Sequence, residues 1–218
     1  MSPIPRTLRQ IVGAPSTPGS PGHAALVLID HQREYLTGGG LPLAGIEAAV
    51  TEIGRLLDLA RRHGVPVFHV VHHGRAGAPL FDPGGPGARI IAGLEPTADE
   101  DVIAKSLPNA FAGTDLHDRL QATDRKELIV AGFATHMCVS STVRAALDLG
   151  YGTTVVASAT ATRDLPSPPG SGGIVTAEVV QQGTLAALAD RFAIVTPDVE
   201  ALARAMHLES GHRSTPAR

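Results

Sequence analysis

The amino-acid sequence predicts a doubly wound, three-layer α/β sandwich built on a six-stranded, mainly parallel sheet. Short apolar runs rich in Val, Ile and Leu alternate along the chain with segments of helical period. The runs are apolar without interruption, as in strands covered by helices on both faces. The length, 218 residues, suits one domain with a full hydrophobic core.

The elements follow in order. Residues 1–22 are rich in Pro, Ser and Gly without a sustained period, which predicts an extended or disordered arm. The folded domain is expected over 23–206 and a tail over 207–218. AALVLID, ending at Asp30, is the first strand. From Ala44 to His63, Ile46, Val50, Ile53, Leu56, Leu57 and Ala60 recur at helical spacing, and Gly64 is placed to end that helix. VPVFHVVHH is the second strand, followed by a Gly/Pro-rich loop over 74–88. DVIAKS, to about Lys105, is the third. A short helix from Thr114 to Gln121 has Thr114 or Asp115 as its cap. KELIVAG is the fourth strand, and HMCVSSTVRAALDLG the helix after it, stopped by Gly150. TTVVASA is the fifth strand. A second Gly/Pro-rich loop, 165–173, leads to a helix from Thr176 to Asp190. RFAIVTP is the sixth strand, with Asp198 capping a last helix. The alternation is Rossmann-like, and in such sheets ligands bind beyond the carboxyl ends of the strands, near the switch in strand order.

Composition narrows the function. The formal net charge is −3 with no long run of one sign, which argues against nucleic acid or an anionic membrane as partner. No stretch approaches the roughly 20 apolar residues that span a bilayer. One cysteine cannot close an intramolecular disulfide, and no signal-peptide pattern opens the chain, so a reducing cytoplasm is expected.

Three reactive residues fall at predicted strand ends. Asp30 closes the first, Lys105 the third, and Cys138 lies just past the fourth, in the first turn of a helix. Free N–H groups and the helix dipole at that turn favour an anion, so a lowered thiol pKa is expected there. Lys105 would favour the thiolate further, and Asp30 would take and return the proton. Each residue alone has a plainer reading: an inert buried thiol, a turn aspartate, a solvated lysine. Their shared sheet edge singles them out.

At these residues the chain resembles the isochorismatase-like cysteine hydrolases. LVLIDHQREY is similar to the family's Asp-x-Gln element followed by an aromatic, through Asp30, Gln32 and Tyr35. KSLPNAFAGTDL matches its second motif through Lys105, Phe111, Thr114 and Leu116. GFATHMCVSSTVRAALDLGY matches its third, through Gly132, Thr135, Cys138, Val139, Thr142, Ala145, Gly150 and Tyr151. The resemblance runs over about residues 24 to 197. It implies an Asp30–Lys105–Cys138 triad, a cis peptide at Phe133–Ala134, and an oxyanion hole from the N–H groups of Ala134 and Cys138.

Gln32, Tyr35, Phe111 and Phe133 are candidate walls of the substrate pocket, and Arg75, Arg89 and Arg163 candidate partners for a substrate carboxylate. Two departures stand out. Ser158 occupies the region where relatives carry an Asp-Ala pair after the fifth strand. The Asp-x-His metal element of the nicotinamidase branch is missing, so neither metal nor cofactor is expected. His69, His72 and His73 are left as core or pocket residues, with His69 and His72 on opposite strand faces.

The implied reaction is hydrolysis of a small molecule's amide-type C–N bond, in an amide, ureido, carbamoyl or lactam group, through a thioester. Two alternatives stay open: a vinyl ether hydrolase that needs no thiol, and a redox-sensing or ligand-binding thiol without turnover. Relatives assemble as dimers or larger, so a homo-oligomer is expected.

Overall fold

The structure, a computed structural model, describes residues 3–211, and side chains as far as Met206. Its centre is a six-stranded sheet. The strands are β1 (Ala24–Ile29), β2 (Val67–His72), β3 (Asp101–Lys105), β4 (Glu127–Phe133) and β5 (Gly152–Ala161). A two-stranded hairpin, β6 (Leu165–Pro166) with β7 (Ile174–Val175), precedes the sixth sheet strand, β8 (Ile194–Thr196). The sheet order is β3-β2-β1-β4-β5-β8, and every pairing in it is parallel. All six residues of β1 are buried, as its unbroken apolar run requires. The order reverses between β1 and β4, so the crevice expected of such folds opens where Asp30 ends β1.

The helices are α1 (Leu8–Ile11), α2 (Ile46–Arg62), α3 (Leu116–Ala122), α4 (Ser140–Asp148), α5 (Ala177–Arg191) and α6 (Val199–Gly211). One face of the sheet packs on α2 and α6, through Ile46, Ile53, Leu56, Leu57 and Leu202. The other packs on α3, α4 and α5, through Leu116, Leu120, Val143, Ala146 and Leu188. Helix α2 buries one stripe, as its 3.6-residue period predicts, and Gly64 follows it at φ +62. Thr176 caps α5 by accepting from the Val179 N–H, and Asp198 caps α6 by accepting from Ala201 at 2.7 Å.

The structure departs from the sequence expectations in places. The arm carries a helical turn, α1, closed by a reciprocal Thr7–Gln10 capping box, and the Leu8 N–H donates to Asp190 on α5. The second Gly/Pro-rich loop folds into the β6–β7 hairpin. The backbone of α6 runs to Gly211, into the expected tail, and 212–218 lie outside the described residues. Strand β5 extends two residues past the predicted run, after a register shift opposite Val130 and Gly132. Ser158, where an anchoring Asp was missing, donates to Glu52 at 3.0 Å. Asp164 instead anchors α5, accepting from the Ala177 N–H at 2.7 Å.

Gly132 shows how closely β1 and β4 approach beneath the crevice. It adopts φ +113, and a Cβ there would lie 2.0 Å from the Ile29 carbonyl oxygen. Both backbone and neighbour forbid a side chain. Gly132→Ala is therefore expected to cost about 3 kcal/mol or more, or to prevent folding, as read from the urea unfolding midpoint.

Candidate active site

Asp30, Lys105 and Cys138 converge at the carboxyl edge of the sheet. Asp30 follows β1 at φ +48, a left-handed conformation that Asp tolerates better than most residues. Its backbone N–H donates to Val70 and its carbonyl accepts from Gln32, both at 2.8 Å. Lys105 ends β3, two strands away, and reaches back across the end of β2. Its Nζ lies 2.7 Å from Asp30 Oδ2, and neither side chain is exposed. The Cys138 thiol interacts with the same carboxylate, whose Oδ1 is buried without an ordinary hydrogen bond.

The peptide bond between Phe133 and Ala134 is cis. Cys138 sits in a π-helical turn, Thr135–Val139, that opens α4. The Ala134 carbonyl accepts from Met137 at 3.0 Å and Val139 at 3.3 Å, skipping the Cys138 N–H between them. Single widened turns of this kind occur often at functional sites. The turn is tied to the end of β5: Thr135 Oγ1 donates to the Ala161 carbonyl, and His136 Nδ1 lies 2.6 Å from Thr162 Oγ1. Thr142 Oγ1 on α4 accepts from the Ala110 N–H, holding the segment after Lys105 against the same helix.

The electrostatics correct one expectation. Burial, and then the charge of Asp30, push the Cys138 thiol up to about 12, against the favourable Lys105. Burial also raises Asp30 to about 6, although Lys105 and the thiol oppose it. At neutral pH the resting pair is thus a carboxylate beside a protonated thiol. The helix start does not overcome desolvation of a thiol that is only 4% exposed.

The pocket candidates divide. Tyr35 stands beside Asp30 and Cys138, where burial and their charges raise its phenol pKa. Its ring meets Phe133 edge-on at 5.8 Å and Phe81 at 5.3 Å. Phe111 goes elsewhere, stacking on Tyr151 at the start of β5, beside His117. Gln32 is a structural clamp. Its Nε2 donates to the His72 and Ala88 carbonyls, and its Oε1 accepts from the His72 N–H, so neither amide proton is left for a substrate. Arg75 and Arg89 are exposed, whereas Arg163 is half-buried, and its charge acts on Tyr35 and His136.

His69 is satisfied in the core between His31, at 2.9 Å, and Glu100, at 3.0 Å. The half-buried His73 pairs its backbone N–H with the Lys105 carbonyl. His72 and Phe81, absent from the predicted pocket list, belong to the site: His72 Nδ1 is 3.3 Å from Lys105 Nζ, and its ring meets Phe81 at 5.1 Å. The strand end that drew attention to Lys105 applies equally to His72. Nothing in the 74–88 loop sequence marks Phe81. It is held from below by Glu34, a buried carboxylate that accepts from the Phe81 and Gly40 N–H groups, both at 2.8 Å. Among the described residues, no three His, Cys, Asp or Glu side chains are grouped to hold a metal ion. Nor is any helix long and apolar enough to cross a membrane.

The isochorismatase domain model matches residues 24–197, most of the chain. The chain belongs to the isochorismatase family. An isochorismatase of known structure from Pseudomonas putida is 46% identical, with a TM-score of 0.84 over 89% of this chain and 97% of that one. A secreted isochorismatase effector of Verticillium dahliae is 36% identical over 85% of this chain and 94% of its own length. A streptothricin hydrolase of Streptomyces noursei is 34% identical over 78% of this chain and 61% of its own. A ureidoacrylate amidohydrolase of Rhizobium rhizogenes is 26% identical over 67% and 75% respectively. The protein is thus a hydrolase of the isochorismatase-like cysteine hydrolase family, some of whose members act on amide C–N bonds.

The raised thiol pKa has a direct consequence. Thiolate content grows with pH toward about 12, so alkylation of Cys138 by iodoacetamide is expected to accelerate steadily above pH 8. A rate already level near pH 7 would contradict this electrostatic account.

Proposed function

We propose that the protein hydrolyses an amide-type C–N bond of a small molecule through a thioester on Cys138. The observation that carries this reading is the burial of one carboxylate between an ammonium and a thiol, beside a π-helical turn at the start of a helix. Cys138 sulfur attacks the substrate carbonyl while its proton passes to Asp30, so no free thiolate need accumulate. The Ala134 and Cys138 N–H groups receive the oxyanion. Protonated Asp30 then gives its proton to the departing nitrogen, the C–N bond breaks, and the acyl group stays on sulfur. Asp30, again ionised, takes a proton from water as its oxygen attacks the thioester, and returns that proton to the leaving sulfur. The sum is amide plus water giving acid plus amine or ammonia. Lys105 keeps its charge throughout and holds Asp30 in line.

One relative is named an amidohydrolase, which supports hydrolysis at an amide C–N bond, and another is named a hydrolase. A sensing role fits poorly, because a redox thiol works when exposed and acidic, and this one is neither. The vinyl ether reading keeps support from relatives named isochorismatase, and it predicts turnover without the thiol.

An ammonia-release screen over amides, ureido acids and lactams is expected to find a substrate. Cys138→Ala should then lower kcat by on the order of 10³-fold or more. Pyruvate release from isochorismate that survives Cys138→Ala would overturn the scheme.

Because Asp30 must start ionised, kcat/KM is expected to fall as pH drops through about 6, the value to which burial raises it. A pH–rate profile flat from 5 to 8 would contradict Asp30 as base.

The charge of Arg163 acts on Tyr35, and its guanidinium donates to the Asp164 carbonyl, so it can meet an anionic substrate group. For a carboxylate-bearing substrate, Arg163→Leu should raise KM about tenfold or more, measured by steady-state kinetics.

A further inference from the structure

Lys105 must cross β2 to reach Asp30, and the residue it crosses is His72. The two are register partners at the ends of their strands. An ammonium has only protons to offer, so at 3.3 Å His72 Nδ1 is the acceptor and the ring carries its proton on Nε2. Lysine is a flexible four-carbon stem with rotatable donors, and its direction is set by what accepts from it. Here the acceptors are Asp30 Oδ2 on one side and His72 on the other.

His72 is itself unusually well held. Gln32, two residues after Asp30, brackets its peptide from both ends: Oε1 accepts from the His72 N–H at 2.8 Å and Nε2 donates to its carbonyl at 2.9 Å. Phe81 packs edge-on against the imidazole, and Glu34 fixes Phe81 through its backbone N–H. Two polar side chains of the first motif, Gln32 and Glu34, thus hold His72 from separate directions, although neither reaches the thiol.

We propose that His72 is a positioning residue: it accepts from the Lys105 ammonium and so aims that charge at Asp30 and Cys138. Gln32 and Phe81 keep the imidazole in place. The inference rests on the proposed hydrolysis for its kinetic part alone, because thiol reactivity reports the position of Lys105 without any substrate.

The test compares His72→Phe and His72→Leu, which remove the acceptor, with His72→Asn, whose amide oxygen takes the place of Nδ1. Alkylation of Cys138 by iodoacetamide at pH 8 should slow about tenfold in the two apolar variants, since a misaimed Lys105 favours the thiolate less. Asn should restore it to within about threefold. With an active substrate, kcat should fall about 10- to 100-fold in Phe and Leu while KM changes less than about threefold, again with recovery in Asn. Equal alkylation rates in all four folded proteins, matched by melting temperature, would overturn the proposal, as would Asn behaving like Leu. If no substrate is turned over, or turnover survives Cys138→Ala, the hydrolase reading fails while the alkylation series still decides the role of His72.

Discussion

A carboxylate and an ammonium lie 2.7 Å apart with no exposure on either side chain. Taking both charges out of water costs several kcal/mol per ion, and their attraction offsets this only when geometry and further hydrogen bonds are good. The architecture around the crevice answers that requirement. The pair joins the ends of β1 and β3 across β2, so three strand ends must be held in register at once. Gln32 clamps the end of β2 to the segment after β1, and Gly132 lets β4 close against Ile29 from the other side. Loosening any of these would leave a charge buried without its partner, which costs about 3–5 kcal/mol.

The pair also sets the state of the thiol. Lys105 lowers the Cys138 pKa, while burial and the carboxylate raise it, and the latter two win. Sulfur therefore rests protonated beside a base whose own pKa burial has brought to about 6. On the proposed mechanism, nucleophile and base are separate groups that exchange one proton during attack, with Lys105 keeping the site's net charge constant. Such an arrangement protects the thiol from oxidation between turnovers, since the thiolate is the oxidisable form.

The loops after β1 and β2 carry the rest. Glu34 has no cation in its hydrogen bonds and is stabilised by backbone N–H groups of two loops. Gly40 and Gly87 each leave room for it, because a Cβ at either would lie 2.3 Å from a Glu34 oxygen. Two Gly-containing loops are thus shaped around one buried carboxylate, and Phe81 is delivered to Tyr35 and His72 as a result.

Much of this was legible in the chain alone. Uninterrupted apolar runs and a 3.6-residue stripe are local properties, and they determined the strands, the helices and hence the edge of the sheet where Asp30, Lys105 and Cys138 had to lie. The parts that sequence misplaced depend on partners distant in the chain. Gln32 sits in a motif beside Asp30, yet its amide is consumed by backbone groups 40 and 56 residues away. Phe111 lies near Lys105 in sequence but stacks on Tyr151 at the other end of the sheet. The thiol pKa was argued from a helix start, a local feature, whereas burial and a charge 108 positions earlier decide it, the difference between 138 and 30. Pattern and composition determine which elements form. Only the tertiary structure decides which polar groups lose water together, because desolvation and charge pairing depend on distances through space.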